Sequence, residues 1–399
     1  MKDKRLLIIF LTIFIDLLGF GLIIPLLSPY AKELGAPEWA VGMVVAMYPL
    51  VNFFCTPVLG SLSDRIGRRP IILGAIAVNF FANLLFAHAS TITLLVFARI
   101  LGGFGSSNIS AAQAYISDIT LPENRARAMG MIGAAFGLGF VLGPAIASPI
   151  SERFPDSDIY ILGLISAALC LLNFVWAYFA LPESLDNKNL SAKIKFVPIS
   201  DFLDAFRRPV IKEILTFNFV YITAFMFLQV TLSLLWLDHY GMTKAETAKG
   251  FMTIGILTAI VQAGLVGRLV KKFGERKLLQ TGTFIMAVGI LMPPFAFKEP
   301  TWLFLVCNFV SIALICFANG MMTPTSNSLL TQHVGAHEQG KIQGLAQSFS
   351  SLARVVGATL SGVLYYFHYA LPYVCASALM LLCSWLVRLA IVQMRTKPV

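Results

Sequence analysis

Runs of about twenty apolar residues recur along nearly the whole of this 399-residue chain. A helix needs about that length to cross a bilayer hydrocarbon core of roughly 30 Å. Reading from charge to charge gives twelve spans, at 6–30, 39–62, 70–90, 92–117, 126–150, 158–181, 211–237, 245–267, 278–297, 301–327, 341–366 and 370–393. The composition agrees, with 57% of residues hydrophobic and 13% charged, about half of the roughly 25% charge in a soluble domain. Disordered chains and disulfide scaffolds are excluded by the same numbers. The expected fold is an all-α polytopic membrane protein. Its one long connection, 182–210, is a linker between a bundle of six spans at 1–181 and a second bundle of six at 211–399.

The net charge of +10 would suggest nucleic acid if the chain were soluble. Position along the chain says otherwise. With the N-terminus placed inside the cell, 23 of the 30 Lys and Arg fall in cytoplasmic segments, 5 on the other side, and Arg99 and Arg354 within spans. This is the bias that orients membrane proteins, and it puts both termini in the cytoplasm. The basic start from Met1 to Arg5 leads into a full-length span, so a cleavable signal peptide is not expected.

Nothing in the chain reads as an enzyme. The six cysteines all lie in apolar spans, without CxxC or Cys/His spacing, and suit apolar packing. Phosphate loops, nucleophile triads and metal-ligand spacings do not occur.

The chain does repeat itself. Gly60-Ser-Leu-Ser-Asp64-Arg65-Ile-Gly67-Arg68-Arg69-Pro70 follows the second span, and Gly267-Arg-Leu-Val-Lys271-Lys272-Phe-Gly274-Glu275-Arg276-Lys277 follows the eighth, 207 residues on. Gly143-Pro144 in the fifth span corresponds to Gly357-Ala358 in the eleventh, at an offset of 214. Both registers link span n to span n+6, as in transporters built from two parallel repeats with a binding site near the midplane.

Four segments then carry a resemblance. Gly60 to Pro70 is similar to the signature turn of the major facilitator superfamily. Leu95 to Gly105, with its embedded Arg99, resembles the signature of the fourth helix. Gly139-Phe-Val-Leu-Gly143-Pro144 resembles the antiporter signature of the fifth, and Asp16-Leu-Leu-Gly19-Phe-Gly21-Leu-Ile-Ile-Pro25 that of the first in twelve-helix drug exporters. The chain as a whole resembles the drug:proton antiporters that include tetracycline efflux proteins. The third span departs from the tetracycline pattern, with Ala82 beside Asn83 where those exporters carry an aspartate.

The resemblance implies a proton-coupled exporter of hydrophobic or amphiphilic small molecules working by alternating access. It implies a bacterial inner-membrane protein that uses the proton gradient, with no cofactor or nucleic-acid partner, and functional as a monomer. Asp16 is the only acid deep in a span, and keeping a charge near the bilayer centre costs about 2.5–3.5 kcal/mol on insertion scales. It either carries a proton, with Arg99 as counter-charge, or hydrogen-bonds a neighbouring helix. Gly60, Asp64, Arg65, Gly67, Arg68, Arg69 and Asp118 would form a cytoplasmic latch; the alternative is that the arginines only set topology. Gly139, Gly143 and Pro144, with Gly255, Ala259 and Ala263, form small-residue stripes on the fifth and eighth spans that could pair as gating helices. Phe20, Asn108, Gln113, Tyr221, Phe225, Gln229 and Asn319 would line the substrate cavity. Arg354 either lines it too or has a structural bond. Export or exchange of one endogenous metabolite (a siderophore, sugar or lipid-like molecule) fits the same scaffold, as does a receptor or assembly partner that no longer transports.

Overall fold

The computed structural model describes residues 2–185, 199–261, 266–296, 301–332, 334 and 339–396. Ala263 and most of the long connection, 186–198, lie outside the described residues. No strand occurs among the described residues; fifteen α-helices do. They are α1 (Lys2–Glu33), α2 (Glu38–Ile66), α3 (Arg68–Ala87), α4 (Ile92–Ser106), α5 (Ile109–Ile119), α6 (Pro122–Arg153), α7 (Asp158–Ala180) and α8 (Ile199–Phe206). After these come α9 (Pro209–Leu234), α10 (Lys244–Ile260), α11 (Val266–Phe273), α12 (Glu275–Leu291), α13 (Thr301–Gln332), α14 (Gln339–Phe367) and α15 (Leu371–Thr396).

Among the described residues, eight helical segments are long and apolar enough to cross a membrane: α1, α2, α3, α4 with α5, α7, α9 with the π-turn that ends it, α12 with the short turn after it, and α13. The expected spans at 126–150 and 341–366 lie within helices α6 and α14, that at 370–393 overlaps α15, and that at 245–267 overlaps α10 and α11.

The fourth span, expected to be one helix, is broken. α4 ends at Ser106 and α5 begins at Ile109. Gly102, Gly103 and Gly105 weaken the helix there. Ser106 and Ser107 both donate to the Gly103 carbonyl, at 3.1 and 2.8 Å, competing with the helical ladder. The break sets Asn108 at the start of α5, buried.

Backbone conformation reveals the duplication directly. The residues with positive φ among those described are four glycines, Gly35, Gly67, Gly241 and Gly274. They form two pairs, 206 and 207 residues apart. Gly35 and Gly241 precede α2 and α10; Gly67 and Gly274 cap the starts of α3 and α12.

The chain folds into two compact units: 1–36, 44–198 and 243–252; and 37–43, 199–242 and 253–399. In the first unit α1 crosses α6 at bare backbone. A methyl group on Gly139 would meet Leu17, and one on Gly143 would collide with the backbone of Gly21. In the second unit α14 crosses α9 in the same manner, with Gly357 against Thr223 and Met226. Close approach of this kind holds helices together in lipid, where apolar surface alone gives little preference for another helix. The glycine face of α6 is therefore used on α1. The contact expected with the eighth span is made by the next turns: Ser148 donates to the Ala245 carbonyl at 3.3 Å, and Lys249 pairs with Glu152 at 2.8 Å.

A further ion pair closes this end of the first unit. Lys244 reaches Glu33 at 2.8 Å and the buried Asp158 at 3.5 Å. Burial disfavours its ammonium, but Glu33 and Asp158 outweigh that cost and hold its pKa above the ordinary value. A raised lysine pKa gives stability that is present at neutral pH and lost only as alkali removes the proton.

Gly143→Val should lower the thermal midpoint in detergent, since overpacking costs about 1–3 kcal/mol. Gly74→Ala, which adds a methyl group to open space in the interior of α3, should not lower it. Equal midpoints for both variants would show that the α1–α6 crossing is not tight.

Candidate functional site

The interior of the first unit holds a small polar cavity of about 30 Å³, lined by Asp16, Phe20, Tyr48, Asn79, Asn83 and Arg99 among others. Helical periodicity explains how α1 supplies it. Asp16 and Phe20 stand four residues apart and line the cavity, while Leu17 and Gly21, also four apart, meet α6. Asp16 accepts hydrogen bonds from two amides, Asn108 at 3.2 Å from the start of α5 and Asn173 at 3.4 Å from α7. Asn173 also donates to the Thr12 carbonyl at 3.0 Å, which fixes it on α1.

Arg99 lies on the same cavity, 6% exposed, with its guanidinium 4.6 Å from the Tyr48 ring centre and 6.0 Å from that of Phe20. Asp16 and Arg99 make no ion pair with each other, contrary to the expected counter-charge arrangement. The physical reason is that each is held elsewhere: the carboxylate by amides, the guanidinium by ring faces. A desolvated cation–π contact contributes about 2 kcal/mol, and Arg99 Nε is still without a hydrogen-bond partner.

In the charged turn Arg68 gathers two carboxylates. Arg68, 7% exposed, binds Asp64 at 2.5 Å, Asp118 at 3.2 Å and the Ser63 hydroxyl at 2.5 Å. Arg69 turns away, donating to the Tyr178 carbonyl at 2.6 Å and packing over the Tyr178 ring. Arg65 is partly buried. Gly60 lets α2 approach Ser110 of α5. Gly67, at φ 116°, has no room for a side chain because Glu183 occupies that space. The Glu183 carboxylate accepts from the amides of Arg68 at 2.9 Å and Arg69 at 3.3 Å, satisfying the first turn of α3. Ser184 closes the ring by donating to Asp118 at 3.0 Å. In the related turn Glu275, the first residue of α12, accepts from Ser328 at 2.6 Å.

The second unit gathers its own polar group. The Tyr221 hydroxyl donates to the Asn319 side-chain oxygen, which also accepts from Thr323 at 3.1 Å. Phe225 lies 6.3 Å from the Tyr221 ring, and Arg354 of α14 interacts electrostatically with Tyr221. Gln113 and Gln229 are partly buried on α5 and α9. Gly255 is buried and Ala259 partly so.

With this geometry established, comparison with known proteins places the chain. The family model described as Major Facilitator Superfamily matches residues 9–358 and 251–399. The chain belongs to the Major Facilitator Superfamily. Within the superfamily it is 28% identical to the class C tetracycline resistance protein of Escherichia coli, over 92% of this chain and 91% of that one. It is also 28% identical to multidrug resistance protein 2 of Bacillus subtilis, over 95% and 94%. The crystal structure of the human organic anion transporter MFSD10 has the same fold, with a TM-score of 0.74, 21% identity, and coverage of 97% of this chain and 99% of that one. So does the nucleoside transporter NupG, with a TM-score of 0.77 at 11% identity, covering 96% of this chain and 99% of that one. As a superfamily member the chain is a multi-pass membrane transporter, not an enzyme.

Asp16, Arg99, Arg68 and Asp118 were named from the sequence; Tyr48 and Asn79, which line the cavity, Asn173, which bonds Asp16, and Glu183, which caps α3, were not. A single amide within an apolar run was the available signal for Asn79 and Asn173. Glu183 followed the sixth span and read as linker.

Glu183→Ala should lower the thermal midpoint, because it uncaps α3, at a cost of about 0.5–2 kcal/mol. Glu183→Gln keeps one acceptor and should lose less. Equal losses in the two variants would contradict the capping role.

Proposed function

We propose that this transporter is a proton-coupled exporter of hydrophobic or amphiphilic small molecules, working by antiport and alternating access. The observation that carries this reading is Asp16: an acid deep in an apolar helix, held by two neutral amides rather than by a cation. With no fixed positive partner the carboxyl can gain and lose a proton without breaking an ion pair. Arg99, on the same cavity, supplies the positive field that changes in effect when Asp16 is neutralised. The relatives named for tetracycline and multidrug resistance support efflux as the direction.

The remaining assignments follow from the same reading. The Arg68 network, with Asp64 and Asp118, serves as the cytoplasmic latch, and Gly139, Gly143 and Pro144 of α6, with Gly255 and Ala259 of α10, mark the helices that move. Phe20 and Asn108 in the first unit, and Tyr221, Phe225, Asn319 and Arg354 in the second, contact substrate. The protein uses the proton gradient without a cofactor, functions as a monomer and resides in a bacterial inner membrane with both termini in the cytoplasm.

In liposomes loaded with a pH-sensitive dye, ethidium added as an amphiphilic probe should drive proton movement through the wild-type protein. Asp16→Asn should abolish it. Ethidium-dependent proton flux that survives Asp16→Asn would overturn the coupling assignment.

A further inference from the structure

Two polar side chains on the cavity of the first unit have no hydrogen-bond partner among the described residues. One is Arg99, whose guanidinium is met by the faces of Tyr48 and Phe20. The other is Asn79 of α3, 8% exposed. The Asn79 amide is seated against Gly105 of α4, where any side chain would displace it. Its neighbour Asn83 spends its amide on the weak acceptor Cys170 Sγ at 3.4 Å. A buried donor left unmade is costly; Arg99 Nε is one, and the Asn79 amide lines the same cavity.

Size and charge define that acceptor. A cavity of about 30 Å³ holds roughly two water-sized groups, so it takes the head of a molecule and not its body. Asp16 and Arg99 line the same space, and once substrate is bound and the Asp16 proton released their formal charges cancel, so an anion gains nothing from the pair as a whole. A free carboxylate would also face Asp16 directly. A neutral carbonyl oxygen satisfies the guanidinium and the Asn79 amide without that repulsion. The Phe20, Tyr48 and Phe86 rings line the same space and favour a flat, unsaturated neighbour to the carbonyl.

We infer that Asn79 and Arg99 form a subsite for the neutral carbonyl head group of an aromatic amphiphile. The inference rests on the transport reading above and names the substrate chemistry that the first unit selects.

Isothermal titration of the purified full chain in detergent micelles at neutral pH, corrected against empty micelles, tests it with three ligands of one shape. These are 2-naphthamide, 2-naphthoate and 2-methylnaphthalene. The amide should bind at least tenfold tighter than the hydrocarbon and tighter than the carboxylate. Asn79→Leu should reduce the amide preference to less than threefold. Arg99→Lys, which keeps the charge but not the forked donor geometry, should reduce it at least fivefold. Equal binding of amide and hydrocarbon would overturn the subsite, as would a preference for naphthoate. So would an undiminished preference in Asn79→Leu protein that melts like wild type. Should both variants melt early, the wild-type ranking decides alone. Because titration needs no gradient, a correct ranking without coupled transport would sink only the transport reading. Coupled transport without the ranking would sink only the subsite.

Discussion

Close helix packing without side chains, at the crossing of α1 and α6, is the interaction on which the rest of the first unit depends. Lipid chains are as apolar as leucine, so burial alone cannot tell a helix where to lie. Contact between bare backbones can. Gly21 and Gly143 meet so closely that a methyl group on Gly143 would strike the opposing backbone. That contact fixes the rotation of α1, and with the rotation fixed, Asp16 and Phe20 line the interior cavity. A residue one position away would have faced α6 instead. The same device recurs where Gly357 of α14 meets α9.

Given that placement, the polar interior follows from scarcity. The apolar helices offer few groups that can satisfy a carboxylate, and the amides of Asn108 and Asn173 are the ones that reach Asp16. Asn108 can do so because the glycine-rich end of α4 gives way to a break two residues long. Arg99 is left to aromatic faces. The result separates acid from base on one cavity, so the acid is free to change its charge. At the edge of the membrane the logic reverses. There Arg68 gathers two carboxylates and a hydroxyl, while Glu183 caps the helix that Arg68 begins.

Much of this was legible in the residues, for reasons of length and charge. Apolar runs long enough to span a bilayer announce themselves. The Gly60 to Pro70 turn carries its glycine, acid and arginines in sequence order, and Asp16 and Arg99 are conspicuous because ionised groups are rare in such runs. The pairing was not legible. Asn173 acts on Asp16 across 157 positions, and an isolated amide has no period or spacing that would reveal its partner. Arg99 and Asp16 suggested each other by charge, yet neutral amides and ring faces outcompeted that attraction. The α6 glycine stripe predicted close packing correctly but not the helix it packs on, since a stripe specifies a face and not a partner.

Everything proposed for transport turns on Asp16, held by amides alone, giving up a proton when substrate binds. Proton release from purified protein in lightly buffered detergent, followed on adding ethidium, measures this without a membrane or gradient. Wild type should release protons in proportion to ethidium bound, and Asp16→Asn should bind ethidium with no release. Equal release from both proteins would mean that the proton comes from another group, and Asp16 would lose its role.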